Sequence, residues 1–230
     1  MSFKSFKENL FQVVFPTHCI NCGHQDVIND SKLCLTCYEA LPLTNFDKVE
    51  EKSHLDKLFW GRVLVENTFA YLYFTENSTT QHLLHELKYK GQKDIGLYFG
   101  KKMGEFLKSN EIQIDALIPV PLHHRKQFKR GFNQAECIAK GIQQAIDLKL
   151  DLKSIKRAVF TDSQTKKSLV SRWENMKNKF VISDSIKQYN HIALVDDVIT
   201  TGSTLEAIIV EIRKVHPDIK ISILSLAVTR

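Results

Sequence analysis

The N-terminal segment has apolar residues at helical spacing. They recur at positions i, i+3, i+7 and i+10 or i+11, and they are Phe3, Phe6, Leu10, Val13 and Val14. This spacing predicts an amphipathic helix that packs one apolar face against protein. Pro16 follows, and the helix is expected to end there because a proline disfavours helical backbone in the residue before it.

From residue 68 onward, strand-like and helix-like patterns alternate. Aromatic and β-branched residues predict a strand over Thr68–Phe74, and helical periodicity predicts helices over Thr79–Tyr89 and Ile95–Leu107. The apolar run Asp115–Pro121 predicts a buried strand that continues into a loop, and a helix is predicted over Asn133–Ile146. This order is typical of an α/β domain.

The last third of the chain repeats the same order. We predict a strand over His191–Val195, a polar loop over Asp196–Ser203, a helix over Leu205–His216 and a closing strand over Ile219–Val228. Strands that are apolar at nearly every position are typical of parallel sheets buried on both faces. The patterns together predict an α/β fold, in which a parallel sheet has helices on both faces.

Three regions are expected along the chain. Residues 1–43 combine the N-terminal helix with a four-cysteine module, and residues 44–64 are a polar linker around Glu50 and Glu51. Residues 65–230 form the α/β domain.

Composition excludes several classes of protein. The chain has 230 residues, of which 43% are hydrophobic and 25% are charged, so it is neither disordered nor collagen-like. Its apolar runs are far shorter than the ~18 to 20 residues that cross a bilayer, and the N-terminus lacks the apolar core of a signal peptide. We therefore expect a cytoplasmic protein with no membrane insertion.

Positive charge is concentrated in one part of the chain. Residues 121–180 contain 14 basic and 5 acidic residues, a net charge of +9, whereas the whole chain carries +6. A local excess of this size favours an anionic ligand that carries phosphate groups, or a nucleic acid. A solvated basic face is the alternative.

Four of the five cysteines form two pairs with metal-ligand spacing. Cys19 and Cys22 form the first pair, Cys34 and Cys37 form the second, and eleven residues separate the pairs. Two such turns bring four thiolates to one tetrahedral ion, so structural Zn²⁺ is predicted. Disulfides are the alternative, but they are disfavoured in a reducing compartment. Cys137 lies in a helical pattern and is expected to be a core residue.

Two adjacent carboxylates and a hydroxyl-rich loop follow the strand predicted at residue 191. Asp196 and Asp197 are placed where open α/β sheets bind their ligands. Thr200-Thr-Gly-Ser-Thr204 then precedes a helix, so its N–H groups and the helix N-terminus can enclose a phosphate. The alternative is an ordinary turn whose helix is capped by Ser203 or Thr204. The glycine patterns of Walker A and Rossmann loops are absent from the sequence.

At these residues the sequence resembles a known superfamily. Val195-Asp-Asp-Val-Ile-Thr-Thr-Gly-Ser-Thr204 is similar to the phosphoribosyl-pyrophosphate (PRPP) binding motif of type I phosphoribosyltransferases. Together with the four cysteines, further segments resemble the ComF family of competence proteins. These segments are Leu87-Lys-Tyr-Lys-Gly91, Ile118-Pro-Val-Pro121, Lys129-Arg-Gly-Phe-Asn-Gln-Ala-Glu136, Gln164-Thr165 and Ser171-Arg-Trp-Glu-Asn175.

The resemblance implies a role for each matching residue. Asp196 and Asp197 would face the ribose hydroxyls of PRPP, and the adjoining loop would hold its 5′-phosphate through Thr200, Thr201, Gly202, Ser203 and Thr204. The pyrophosphate loop would consist of Pro121, Leu122, His123, His124 and Arg125. A flexible loop, residues 163–177, would close over the substrate and bring Lys166 and Arg172 to the reaction.

The resemblance also implies a fold and a biological role. The fold is that of a type I phosphoribosyltransferase preceded by a zinc module, the cofactor is Mg²⁺, and the role lies in the uptake of transforming DNA. No sequence pattern identifies the acceptor of the phosphoribosyl group. The alternative function is that of a non-catalytic adaptor with the same fold. Such an adaptor would bind single-stranded DNA, or would bind a DNA-uptake helicase or ATPase.

Overall fold

The computed structural model describes residues 18–28, 31–44, 54–157 and 180–229. The predicted N-terminal helix lies outside these residues, as does the predicted flexible loop with Lys166 and Arg172. Among the described residues, no helix is both long and apolar enough to cross a membrane.

The described chain contains seven α-helices and seven strands. The helices are α1 (Leu35–Glu39), α2 (His54–Lys57), α3 (Thr79–Tyr89), α4 (Lys93–Ser109), α5 (His124–Arg130), α6 (Gln134–Ala145) and α7 (Ser203–Val215). The strands are β1 (Thr68–Phe74), β2 (Ala116–Pro119), β3 (Lys149–Leu150), β4 (Ile155–Arg157), β5 (Phe180–Ile182), β6 (His191–Ile199) and β7 (Lys220–Thr229). A 3₁₀ helix spans Asp184–Gln188.

The main sheet has five parallel strands in the order β1-β7-β6-β2-β3. Its centre is apolar, because Ile192 to Val195 of β6 are all buried. The remaining two strands, β4 and β5, form a separate antiparallel pair. The expectation of a parallel α/β sheet is confirmed.

The two faces of the sheet carry separate parts of the core. Ala193 and Val195 point to the face that α3, α4 and α6 cover, and Ile192 and Leu194 point to the face that α7 covers. Alternation of this kind follows from the two-residue repeat of a strand. Helices therefore cover both faces, as predicted, and the arrangement is consistent with a phosphoribosyltransferase-like fold.

Two glycines allow α4 and α6 to cross in close contact. A Cβ atom on Gly100 would lie 2.1 Å from the Ile138 carbonyl oxygen, and one on Gly141 would lie 2.2 Å from that of Leu97. No side chain fits at such a distance. The crossing fixes the helix layer that supports β6 and its neighbours.

The regions before the sheet pack directly on it. Leu33 and Leu41 of the cysteine module belong to the same core cluster as β1, and Leu43 forms an antiparallel bridge with Leu72. Within the predicted linker, residues 54–64 include α2 and the fully buried Phe59. The domain boundaries stay a prediction, but the end of the predicted linker contributes to the core.

Candidate functional site

Asp196 and Asp197 lie inside β6 rather than after it. The sequence predicted a loop from Asp196 onward, but β6 continues to Ile199. The extension is possible because β7 pairs with β6 up to Val228, opposite Ile199. The predicted start of the loop at Asp196 is therefore wrong. The apolar pattern ends at Val195, but pairing with β7 keeps the backbone in the strand as far as Ile199.

The two carboxylates differ in their electrostatic environment. Burial and the neighbouring charge of Asp197 raise the pKa of Asp196 to about 7. Asp196 Oδ1 accepts a hydrogen bond from the Asp197 N–H at 2.9 Å, whereas Asp197 Oδ2 lies 3.4 Å from Lys88 Nζ. Asp197 thus has a cation beside it, whereas the burial of Asp196 makes ionisation of its carboxyl group unfavourable.

The sequence alone gave no site role to Lys88. It occupies the last turn of α3, next to the fully buried Leu87. Its side chain is 16% exposed, and that of its partner Asp197 is 13% exposed. A lysine at the end of an amphipathic helix usually faces water, so the helical pattern does not point to a site. The only sequence feature that points to Lys88 is its position in the Leu87–Gly91 segment, which carries the family resemblance.

The predicted phosphate loop joins β6 to α7. The helix begins at Ser203, and its N-cap is Gly202, which has a φ of +70° and makes no side-chain capping bond. Neither Ser203 nor Thr204 is therefore the cap. The first N–H groups of a helix lack partners within it, so they can meet an anion. Here the Ser203 N–H also makes a long hydrogen bond, 3.5 Å, to Thr201 Oγ1. The hydroxyls of Thr201 and Ser203, 2.9 Å apart, lie at the same turn.

An open cavity lies against this loop. It is lined by Asp196, Val198 and residues 199–205. The cavity joins the first carboxylate to every residue predicted to hold the 5′-phosphate. Asp197 and the predicted pyrophosphate loop do not line it in the part of the chain that is described.

The predicted pyrophosphate loop leaves the sheet beside the carboxylate pair. The Val120 N–H donates to the Val195 carbonyl oxygen at 2.8 Å, so the chain departs next to the residue that precedes Asp196. His123 is then the N-cap of α5, and its Nδ1 accepts a hydrogen bond from the Arg125 N–H at 3.2 Å. The loop residues are Pro121, Leu122, His123, His124 and Arg125.

The sequence patterns do not predict helix α5. None of its residues is buried, so it has no apolar stripe for a periodicity argument to detect. Phe128 is 93% exposed and Tyr89 of α3 is 52% exposed. Lys129 Nζ and the guanidinium of Arg130 lie 5.9 Å and 5.3 Å from the centre of the Tyr89 ring. We call Tyr89, Lys126, Phe128, Lys129 and Arg130 the basic-aromatic surface.

The four predicted metal ligands come together. The sulfur atoms of Cys19, Cys22, Cys34 and Cys37 all lie within 4.8 Å of one another. Burial raises the pKa of Cys19, but backbone N–H groups outweigh it and lower that pKa to about 6. At Cys37 the hydrogen bond from Asn21 lowers the pKa, but burial and the neighbouring thiols outweigh it and raise the pKa to about 12. One thiolate thus forms readily, whereas four thiolates side by side need a cation to offset their repulsion. The cluster could hold one tetrahedral ion.

A polar side chain connects the cluster to the α/β domain. Asn21 Nδ2 donates to Cys37 Sγ at 3.3 Å, and Asn21 Oδ1 lies 2.8 Å from His82 Nδ1. Contacts of this kind orient metal ligands and tune their basicity. Because His82 is part of α3, the helix whose last turn carries Lys88 also supports the cluster.

Comparison with known proteins identifies relatives. The chain is 41% identical to Competence protein F of Haemophilus influenzae over 102 residues, which is 44% of each protein. It is 29% identical to the DNA utilization protein YhgH of Escherichia coli K12 over 131 residues, 55% of this chain and 57% of the relative. The chain thus spans about half the length of the curated relatives it matches. No family model matches the chain.

Proposed function

We propose that this chain belongs to the ComF family, binds PRPP and acts in natural competence and DNA uptake. The names of the similar proteins, a competence protein and a DNA utilization protein, support the biological role. For the chemistry, we propose a Mg²⁺-dependent transfer of the phosphoribosyl group of PRPP to an acceptor, carried out in the cytoplasm.

One observation carries the proposal for PRPP. A cavity joins a carboxylate of β6 to a hydroxyl-lined turn at the N-terminus of α7. PRPP presents hydroxyls and a phosphate on one ribose ring. The hydroxyls suit the carboxylates of Asp196 and Asp197, and the phosphate suits the loop from Thr200 to Thr204.

The residues at the site also suit Mg²⁺. Two carboxylates supply the oxygen ligands that this ion takes in proteins. Their mutual repulsion, which contributes to the raised pKa of Asp196, would be relieved by a cation. The chemistry that bound Mg²⁺ supplies is neutralisation of charge on the leaving pyrophosphate.

The protein's own groups would position and shield the reacting atoms. Loss of pyrophosphate from C1 of ribose passes through an oxocarbenium-like state, and negative charge grows on the leaving oxygens. Lys88 lies 3.4 Å from Asp197. Arg125 belongs to the predicted pyrophosphate loop, so both cations would stabilise that charge. Lys166 and Arg172 would join them from the loop over residues 163–177, whose closure would exclude water.

Binding of Mg²⁺ and PRPP tests this function and has a predicted pH dependence. Because the pKa of Asp196 is raised, the carboxyl must lose its proton before it can bind the cation. Affinity should therefore rise between about pH 6 and pH 8. Titration calorimetry across this range measures it, and pyrophosphate release with a panel of amines, bases and nucleotides identifies the acceptor. The absence of PRPP binding at any pH would contradict the proposal.

The four-cysteine cluster supports a structural Zn²⁺. All four sulfurs are within 4.8 Å of one another, and four thiolates complete a closed tetrahedral site. We propose that the ion stabilises the module that packs on the edge of the α/β core.

A second candidate function rests on the basic-aromatic surface. Helix α5 has four cations over seven residues and no acidic residue, and its Phe128 is almost fully exposed. Exposed rings beside cations are typical of surfaces on which the bases of single-stranded nucleic acid stack. The surface adjoins the carboxylate site, since Tyr89 directly follows Lys88. An adaptor that holds single-stranded DNA, or brings it to an ATPase, would use this surface.

Replacing the two rings should weaken binding to single-stranded DNA. Phe128→Ala with Tyr89→Ala is expected to cost on the order of tenfold or more in affinity, because each stacked base contributes roughly 1 to 3 kcal/mol. Fluorescence anisotropy with labelled oligothymidylate measures the effect. Leu64→Ala is a matched control, since Leu64 is 79% exposed but lies outside this surface. Equal affinity for the double variant and the control would rule out stacking here.

A further inference from the structure

The segment before β1 lies beneath the phosphate loop. Phe59 is fully buried, and a Cβ atom on Gly202 would lie 3.0 Å from its ring. Arg62, three residues later, donates from Nη1 to the carbonyl oxygens of Leu58 and Thr201, each at 2.8 Å. One guanidinium therefore ties this segment to the middle of the loop.

The backbone carbonyl oxygens of the phosphate loop accept hydrogen bonds from other parts of the protein. Thr229 Oγ1 donates to the carbonyl oxygen of Thr200 at 3.2 Å, and Arg62 holds that of Thr201. The carbonyl of Gly202 accepts from the Glu206 N–H at 2.9 Å inside α7. With these oxygens engaged, the loop can offer N–H groups to an anion without presenting carbonyl dipoles that would repel it.

Arg62 also compensates a negative charge close to the cavity. Glu206 lies in the first turn of α7, where a carboxylate favours the helix dipole but repels a phosphate bound at the helix N-terminus. Arg62 Nη2 forms an ion pair with Glu206 Oε2, and each side chain is 33% exposed. The pair leaves the helix N-terminus without a net negative side chain.

We propose that Arg62 is a positioning residue for the phosphate group of the ligand. It fixes the Thr201 carbonyl away from the anion and neutralises Glu206, and it does so without being part of the motif itself. This role rests on the proposed function, in which the loop from Thr200 to Thr204 holds the 5′-phosphate of PRPP.

Binding of two phosphate ligands tests the proposal. Arg62→Met is expected to weaken the affinity for Mg²⁺-PRPP, and for ribose 5-phosphate alone, by about tenfold, since hydrogen bonds and ion pairs of charged groups have this magnitude. Ribose 5-phosphate isolates the contribution of the phosphate. Titration calorimetry on the full chain gives both affinities, and thermal melts give the stability.

Arg213→Met is the matched control. Like Arg62, Arg213 donates to backbone carbonyls: Nη1 contacts Pro217 and Ile219, and Nη2 reaches the Leu64 carbonyl oxygen at 3.4 Å. It thus fastens the same segment to the other end of α7, away from the phosphate loop. Its loss is expected to lower the melting temperature while leaving both affinities within about twofold.

Glu206→Gln separates positioning from a merely structural role. Alone, this change should leave the affinity for both phosphate ligands equal to or higher than that of the wild type. Arg62 keeps its charge, and the repulsion between Glu206 and the phosphate is gone. Combined with Arg62→Met, it should recover at least about threefold of the lost affinity. A stability defect alone would show no such recovery.

The outcomes distinguish this role from the proposed function. A wild-type protein that binds neither ligand refutes the phosphate site and the role of Arg62 together. Wild-type binding with equal binding by Arg62→Met refutes only the role of Arg62. If Arg62→Met does not fold, Glu206→Gln still decides, because a clear loss of affinity in that variant contradicts charge compensation and unchanged or tighter binding supports it.

Discussion

Asp196→Asn combined with Asp197→Asn is expected to weaken Mg²⁺-dependent PRPP binding by at least roughly tenfold. Carboxylates that accept hydrogen bonds from the ribose hydroxyls should contribute on the order of 1 to 3 kcal/mol each. Asparagine keeps the size of the side chain but removes the charge, so β6 should remain intact. Titration calorimetry measures the affinity of the double variant.

The single change Asp196→Asn should stabilise the protein. Because the pKa of Asp196 is raised from 3.8 to about 7, the folded state binds this proton more tightly than the unfolded state does. Wild-type stability should therefore fall as the pH rises from about 4 to about 7. In the variant this loss disappears, and the melting temperature at pH 8 should rise by at least roughly 2 °C.

Asp151→Asn provides a matched control. Asp151 is also buried, but it accepts hydrogen bonds from Ser154 and Tyr189 and lies outside the cavity. Its replacement should lower the melting temperature and leave PRPP affinity unchanged. If the double variant at Asp196 and Asp197 behaved like this control, the pair would be structural and the ligand assignment would fail.

Cys34→Ser is expected to reduce bound zinc from about one ion per chain to almost none, since a closed site needs all four thiolates. Elemental analysis of the purified protein measures the metal content. Cys137→Ser is the control, because Cys137 is also buried but is not part of the four-sulfur cluster. Full zinc content in Cys34→Ser would contradict a four-thiolate site.

The loss of zinc should also increase hydrogen exchange outside the cysteine module. Lys32 forms an ion pair with Asp94 of α4 at 3.4 Å, and the rings of Tyr38 and Tyr98 meet at 6.3 Å between centroids. Hydrogen exchange should therefore increase in residues 18–44 and in the first turns of α4. Exchange confined to the module would show that these contacts survive without the metal.

Much of the scaffold could be predicted because its signals are local. The apolar run from Ile192 to Val195 marks a strand buried on both faces, whatever surrounds it. Likewise, two pairs of cysteines with two intervening residues can form a metal site through their own turns. The bounds of β1 and α3 agree with the prediction at both ends, because turn residues delimit each element.

The details of the site depend on contacts between distant segments. The predicted loop at Asp196 is part of β6 because β7 supplies the hydrogen bonds there. Helix α5 has no buried side chain, so no apolar repeat marks it. Arg62 lies 139 residues from Thr201 along the chain, and no local pattern links them.

By itself, the sequence determined the parallel α/β fold, the four-cysteine cluster and the position of the carboxylate pair before a hydroxyl-rich turn. These features follow from the order of residues within short segments. Only the tertiary structure decided that Lys88 lies beside Asp197, that burial raises the pKa of Asp196, and that Arg62 supports the loop. The physical reason is that charge interactions and desolvation depend on distances through space, which are set when the helices and the segment before β1 pack around β6.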